Sequence, residues 1–333
     1  MSQVLEGWDF FSGIGGVKCG MKMAGIKPAI GIEFNPEDPL FSRECRAVQA
    51  TNGWSVRLDT VQRFVEDGCP GLPHNAAIAH ISLVCRTYSK ASENRGKDSQ
   101  KHKKEADMEL AIALIKGIAI AKPQNVSLEQ VGEFLGTEEW VFVAEKLQEM
   151  GYKINYKVVN VGALSGQERN RLIVVGSKNN IWEIPEFSPV SWWKILEPLI
   201  AEFAPIAPTP KQSQALKKYL GECHPSDRGN PLLIERISAG KMPKVRHWHQ
   251  QCPTLTKSMF RDQKGAGRSQ THSIWINGTW LSVGLKGIAA LCGFPDWFRY
   301  PSSPAIAGAG FGYAVPPIYY AKLLQERFSD LKI

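Results

Sequence analysis

Residues 7–16 read GWDFFSGIGG: a run of strand-forming residues from Gly7 to Phe11 passes directly into the glycine-rich FSGIGG of residues 11–16. A helical pattern follows through about Met23. Glycine at that junction lets the chain turn tightly and brings backbone N–H groups at a helix N-terminus close to a nucleotide-like ligand. The same glycines would also serve a simple close-packed turn, and the stretch alone leaves both readings open. Its neighbours continue the alternation. Ala29 to Glu33 is a second strand and Asn35 to Ala50 a second helix. Ala76 to Val84 is an apolar run of strand length suited to the centre of a parallel sheet. Met108 to Ala121 has helical spacing, Asn125 to Leu128 is a further strand, and Lys153 to Val161 with Arg171 to Gly176 read as an antiparallel pair. The expected fold is α/β, a Rossmann-like doubly wound sheet.

With 333 residues the chain is long enough for this sheet and a second, smaller domain. Between Trp182 and Ile276 prolines recur and periodicity is lost, which places an irregular domain at residues 181–276, after a first domain at 1–180. Residues 277–333 are expected to return to the first domain with helices at Val283–Leu291 and Ile318–Phe328. Hydrophobic residues make up 43% of the chain and charged residues 22%, and mean hydropathy is −0.22. No run is apolar enough to span a bilayer and the N-terminus lacks a secretory pattern, so a soluble, cytoplasmic protein is expected. The seven cysteines form no CxxC pair, and His247 with His249 lacks a third ligand nearby, so no metal site is expected.

Forty Lys and Arg against 32 Asp and Glu give a net charge of +8. Two stretches concentrate it. Lys90, Arg95 and Lys97 lie in a segment of local charge +4, and Lys244, Arg246, Lys257, Arg261, Lys264 and Arg268 in one of +6. Cations interleaved with Gly, Ser, Gln, Trp and His suit a phosphate-contacting surface, because each neutralised phosphate releases counterions.

Several polar side chains stand at strand ends, where open α/β sheets place their ligands. Glu33 follows Gly13 by 20 residues, the spacing of a ribose-binding acid. Asp59 ends the next short strand. Cys85 follows the apolar run, Glu129 ends NVSLEQV, and Gln167, Arg169 and Arg171 alternate in QERNR, which predicts one shared strand face.

Taken in order, these segments resemble the DNA cytosine-5 methyltransferase family. DFFSGIGG is similar to its cofactor loop, GIEFNPE to its ribose-binding segment, LDT to its adenine-contacting Asp, and LVCRTYS to its nucleophile loop. LEQV resembles its Glu-Asn-Val, SGQERNR its Gln-x-Arg-x-Arg, and QCPTLTKSM a segment of its recognition domain. ALCGFPDWF and GYAVPP resemble its last two motifs. The resemblance implies S-adenosylmethionine held by Phe11, Gly13, Ile14, Gly15, Gly16, Glu33, Phe34, Asp59, Thr60, Arg86, Tyr313 and Val315. It implies Cys85 as nucleophile, Glu129 on the cytosine ring, Arg169 and Arg171 on the base and its phosphate, and Gln167 in support. A flipped base in double-stranded DNA would be the substrate, with the basic loop after Cys85 as a closing lid. The chain is expected to act as a monomer in a bacterial or phage-infected cell, with a restriction enzyme as a conceivable partner.

Four motifs depart from the family. Val84-Cys85-Arg86 replaces Pro-Cys-Gln, Gln130 replaces Asn, Tyr313 replaces Asn, and no Arg-Glu precedes GFPDWF. An arginine beside a sulfonium is unfavourable unless an anion lies between them. Arg86 and Tyr313 therefore raise the alternative that the donor is carboxy-S-adenosylmethionine and the product 5-carboxymethylcytosine. Two further readings are a DNA-binding protein without catalysis and an RNA substrate.

Overall fold

The computed structural model describes residues 4–34, 36, 38–83, 97–235, 242–256 and 272–329, with the side chains of 97–105 and 225 outside that description. Among these residues the chain divides into two compact units. One comprises residues 1–160, 170–186 and 317–333; the other comprises 161–169 and 187–316. Residues 277–316, read from the sequence with the returning segment, thus fall in the smaller unit.

The larger unit is built on a seven-stranded sheet of order β3-β2-β1-β4-β5-β7-β6. Its strands are β1 (Glu6–Phe10), β2 (Lys27–Ile32), β3 (Val56–Arg57), β4 (Ile78–Ile81), β5 (Asn125–Gln130), β6 (Lys153–Asn160) and β7 (Asn170–Ser177). The first five are parallel, and β7 runs antiparallel to both β5 and β6. The connecting helices are α1 (Gly16–Met23), α2 (Pro39–Thr51), α3 (Val61–Glu66), α4 (Lys97–Ala121) and α5 (Glu138–Glu149). Three of them start at residues chosen for the job. Asp38, Thr60 and Thr137 accept the N–H groups of Phe41, Arg63 and Trp140, which would otherwise lack partners. Helix α4 begins at Lys97, earlier than the apolar spacing from Met108 predicts, so that basic stretch is helical from Lys97 onward rather than loop.

Alternation along the central strands sends their side chains to two different surroundings. Trp8 and Phe10 join Ala79, Ile81, Val126, Leu128 and Val174 in a core closed by Phe64, Leu114, Ile118 and Val143. The opposite face carries a polar row, since Asp9 registers with His80 and His80 with Ser127. His80 is hydrogen-bonded to Ser127 Oγ (2.9 Å) and Ser82 Oγ (2.8 Å), and Ser127 Oγ to Tyr320 Oη (2.8 Å). Burial pushes the His80 imidazole down to about 3, so it stays neutral. Tyr320 comes from the final helix of the chain, α10 (Pro317–Arg327), which packs on α1. Gly20 allows that approach: a Cβ there would lie 2.9 Å from Pro317 O.

The smaller unit has its own four-stranded sheet, order β11-β10-β8-β9, of β8 (Leu232–Ile234), β9 (Val245–His247), β10 (Ser273–Ile276) and β11 (Thr279–Ser282). Its helices are α6 (Trp192–Leu196), α7 (Pro210–Glu222), α8 (Gly284–Leu291) and α9 (Pro304–Tyr313). This corrects the expectation of an irregular domain. The strands span only three or four residues each, too few for a period of two to stand out. Helix α7 is announced by Thr209-Pro210 and a capping box with Gln212.

Candidate active site

In the larger unit the turn after β1 takes the form its glycines permit. Phe11, Gly13 and Gly15 have φ of 61°, 49° and 93°, the left-handed region that glycine enters without penalty. At Gly15 a Cβ would lie 2.8 Å from the Trp54 ring, so the backbone passes where no side chain fits. Ile14 is buried beneath the turn, Gly16 opens α1, and Phe11 stays half-buried beside it.

Glu33, just past β2, is buried and accepts the Gly13 N–H (2.9 Å) on one carboxylate oxygen and the Ser42 hydroxyl (3.2 Å) on the other. Burial raises its pKa, and these two hydrogen bonds oppose that rise by favouring the charged form. Gln49 braces the turn from the other side, donating to Gly13 O (2.7 Å) and Ser12 Oγ (2.9 Å). Ser42 and Gln49 were not read as site residues from the sequence. The signal was available, because seven residues apart on α2 they share its buried face, and polar residues at helical spacing on an apolar face ask for partners. Lys18 is also fully buried, donating to Ser55 O (2.6 Å). Burial raises the Asp9 carboxyl to about 8 and lowers the Lys18 ammonium to about 8, each shift opposed by the charge of the other group.

Asp59 pairs with Arg57 (2.7 Å) and accepts the Thr60 N–H (3.0 Å), while Thr60 caps α3. Phe34 is half-buried. At the end of β5, Glu129 lies 3.1 Å from Arg171 Nε, and Arg171 also donates to Asn170 O (2.7 Å). Gln130, in the place of the family's Asn, is buried and donates to Leu83 O (3.0 Å) while accepting the Val131 N–H (2.8 Å). It thereby ties β5 to the residues that precede Val84. Cys85, Arg86, Lys90 and Arg95 lie outside the described residues, as do Lys257, Arg261, Lys264 and Arg268; of Lys97 only the backbone is described.

Along QERNR burial alternates: Gln167 and Arg169 are buried, Glu168 and Asn170 exposed, and Arg171 is half-buried. Strand β7 begins at Asn170, after a turn in which Gly162 O accepts the N–H groups of Ser165 and Gln167 and Gly166 adopts φ 75°. Arg171 therefore belongs to the larger unit and Gln167 and Arg169 to the smaller. Gln167 donates to Leu291 O (3.0 Å) and accepts the Leu255 N–H (2.9 Å). Arg169, 3% exposed, donates to the carbonyls of Leu255 (3.2 Å), Gly312 (3.2 Å) and Ala314 (3.3 Å). Both side chains fasten QCPTLTKSM and GYAVPP to one another through main-chain groups. Val315 is buried and Tyr313 exposed in that segment. Among the basic residues Lys244 is exposed, whereas Arg246 is neutralised by Glu235 at 2.8 Å.

Among the described residues no cluster of His, Cys, Asp and Glu could hold a metal, and no helix is long and apolar enough to cross a membrane.

The fold is that of class I methyltransferases. It is similar to a methyltransferase of Entamoeba histolytica (TM-score 0.66, 15% identity, covering 99% of this chain and 100% of that one) and to the Dnmt2 methyltransferase of S. pombe (TM-score 0.62, 13% identity, 99% and 100%). Residues 5–328 match the family of C-5 cytosine-specific DNA methylases, and the chain belongs to that family. It is also 23% identical over 320 residues to the type II methyltransferase M.NgoBI of Neisseria gonorrhoeae, covering 93% of this chain and 89% of that protein.

Proposed function

We propose that the chain transfers a methyl group to carbon 5 of a cytosine flipped out of double-stranded DNA. Carbon 5 of cytosine is a weak nucleophile. The Cys85 thiolate adds to carbon 6, and the electron pair displaced from the 5,6 double bond makes carbon 5 nucleophilic. Glu129 accepts from the exocyclic amine and shares a proton with the ring nitrogen, which takes it up as charge develops on the base, and its neighbour Arg171 holds the carboxyl group in place. Gln167 and Arg169 act as positioning residues, since their side chains hold main-chain segments. Loss of the carbon 5 proton to a base then drives the electrons back and expels Cys85.

The loop of Phe11 to Gly16 with Glu33 fits the adenosyl part of S-adenosylmethionine: the backbone leaves room for no Cβ at Gly15, and a buried carboxylate stands beside the Gly13 N–H. Once bound, that molecule supplies a methyl group on a sulfonium, which carbon 5 takes.

The observation that carries this reading is the family match over residues 5–328, joined to the Glu129–Arg171 pair at the end of β5. Nucleoside mass spectrometry of DNA incubated with the enzyme and S-adenosylmethionine tests it, and 5-methylcytosine is the expected product. Parallel samples with the carboxylated donor test the carboxymethyl alternative, whose support is Arg86 and Tyr313. Covalent trapping on DNA carrying 5-fluorocytosine tests the nucleophile; failure of Cys85 to form an adduct would leave a DNA-binding protein.

A further inference from the structure

We propose that Trp248, at the tip of the turn after β9, reads the DNA target by packing its indole against bases, and so sets sequence specificity. The inference rests on the reading above that the substrate is duplex DNA.

Three observations carry it. First, the turn is built to hold one shape. Gln250 N donates to His247 O (3.0 Å), and His247 N donates to the Gln250 side chain (2.9 Å). Fully buried Trp192 grips both ends, its ring N–H on His247 O (2.7 Å) and its backbone N–H on Gln250 O (2.9 Å). Second, this braced turn presents a large aromatic side chain to solvent. Trp248 is 41% exposed, with the His249 ring edge-on at 5.5 Å. A rigid, exposed indole can stack on a base or wedge at a base step at low entropic cost, because little of its freedom remains to be lost.

Third, the charge around it complements a polyanion. The smaller unit contains 16 Lys and Arg against eight Asp and Glu, so it carries the whole +8 of the chain while the larger unit is neutral. No carboxylate occurs between Glu235 and Asp262, the stretch that contains the turn. Phosphate attraction of that kind brings duplex to the surface without choosing a sequence, and an uncharged aromatic contact supplies what the cations lack.

The experiment first maps the methylated sites of the wild-type enzyme, then measures binding of duplexes carrying the mapped site or a scrambled one by fluorescence anisotropy across a salt series. Trp248→Ala is expected to lose about 10-fold in affinity for the mapped site, on the scale of one lost base stack. Affinity for the scrambled duplex, the salt dependence, S-adenosylmethionine binding and melting temperature should stay as in wild type, and Trp248→Phe should recover most of the loss. Equal affinity and an unchanged methylation map for Trp248→Ala would overturn the inference while leaving the methyltransferase reading intact. An equal loss on both duplexes would also overturn it, since that marks a non-specific contact. A wild-type enzyme that modifies no DNA would remove the underlying reading and this inference together.

Discussion

Replacing Gly162 by alanine adds one methyl group and is expected to disable the enzyme. The backbone there is at φ −90°, ψ 1°, a region open to alanine as well as glycine, so conformational strain is not the main reason. The reason is contact. A Cβ on Gly162 would press into the Gln167 carbonyl oxygen and lie only 3.0 Å from the carbonyl carbon and Cβ of the same residue. Reaching ordinary van der Waals distance requires a shift of about 1 Å, and the atoms that must move are main chain. The turn cannot open without stretching the Gln167 N–H to Gly162 O bond, which measures 3.1 Å. Overpacking of this kind costs about 1–3 kcal/mol, or roughly 2–12 °C in melting temperature at about 2–4 °C per kcal/mol. The larger effect is on rate. Gln167 and Arg169 together fix Leu255, Leu291, Gly312 and Ala314, and displacing such supports by about 1 Å can cost on the order of 100-fold in turnover. The assay is single-turnover methyl transfer beside thermal unfolding. Gly221→Ala is the control: it lies near the end of α7 with nothing within 4 Å of its Cβ, so the same substitution should be neutral or stabilise by about 0.5–1 kcal/mol. Wild-type turnover and melting in Gly162→Ala would refute the reasoning.

Glu33→Gln keeps the shape but removes the charge at the cofactor loop, and S-adenosylmethionine should bind about 10-fold or more weakly by calorimetry, in line with about 1.5–3 kcal/mol for a charge-assisted hydrogen bond. The Asp9 carboxyl, raised to about 8 by burial against the opposing pull of Lys18, keeps in the folded protein a proton that the unfolded chain loses above 3.8. Its contribution to stability therefore falls as pH rises between those values, by at most about 1.4 kcal/mol per pH unit. Below about 6.5 buried His80 opposes it, because the unfolded chain binds a proton there that the neutral folded imidazole does not, and Lys18 begins to titrate only near 8, so the Asp9 slope stands uncancelled between about 6.5 and 8. Asp9→Asn should abolish that slope in urea unfolding series at several pH values, and an unchanged slope would show that Asp9 is not its source. Lys244→Ala should reduce the slope of log affinity for DNA against log salt by about 0.9. Arg246→Ala, already neutralised by Glu235, should reduce it much less, and equal reductions would mean that the ion pair opens on DNA.

The parallel strands and the motif order were legible because each strand ends in residues whose chemistry differs from its apolar body, as at Glu33 and Glu129. In the smaller unit helix α8 was legible, but the rest showed as a loss of pattern, because its strands are too short to alternate and helix α9 is PAIAGAGFGY, where small residues hide any period. The alternation of QERNR was legible as a period of two, and the structure buries Gln167 and Arg169 while exposing Glu168 and Asn170. What spacing could not give is that β7 starts only at Asn170, after the turn that Gly162 and Gly166 make. The polar row was hidden in a different way. His80 and Ser127 interrupt otherwise apolar strands, and only their register reveals that each is the other's partner.

Helix α10 gives the sheet a dependence on time. The strands of the larger unit are all made once residue 177 has left the ribosome, yet Tyr320, partner of Ser127, follows some 140 residues later. At about 5–20 residues per second that is an interval of about 7–28 s in which α1 lacks the helix that packs on it. A nascent chain in this interval holds Asp9, His80 and Ser127 on a face that is not yet closed. Most of the smaller unit, residues 187–316, is synthesised in that gap, before the larger unit is complete. A chain cut after residue 316 would retain every one of the motifs up to GYAVP and still remain in the state of that unfinished intermediate.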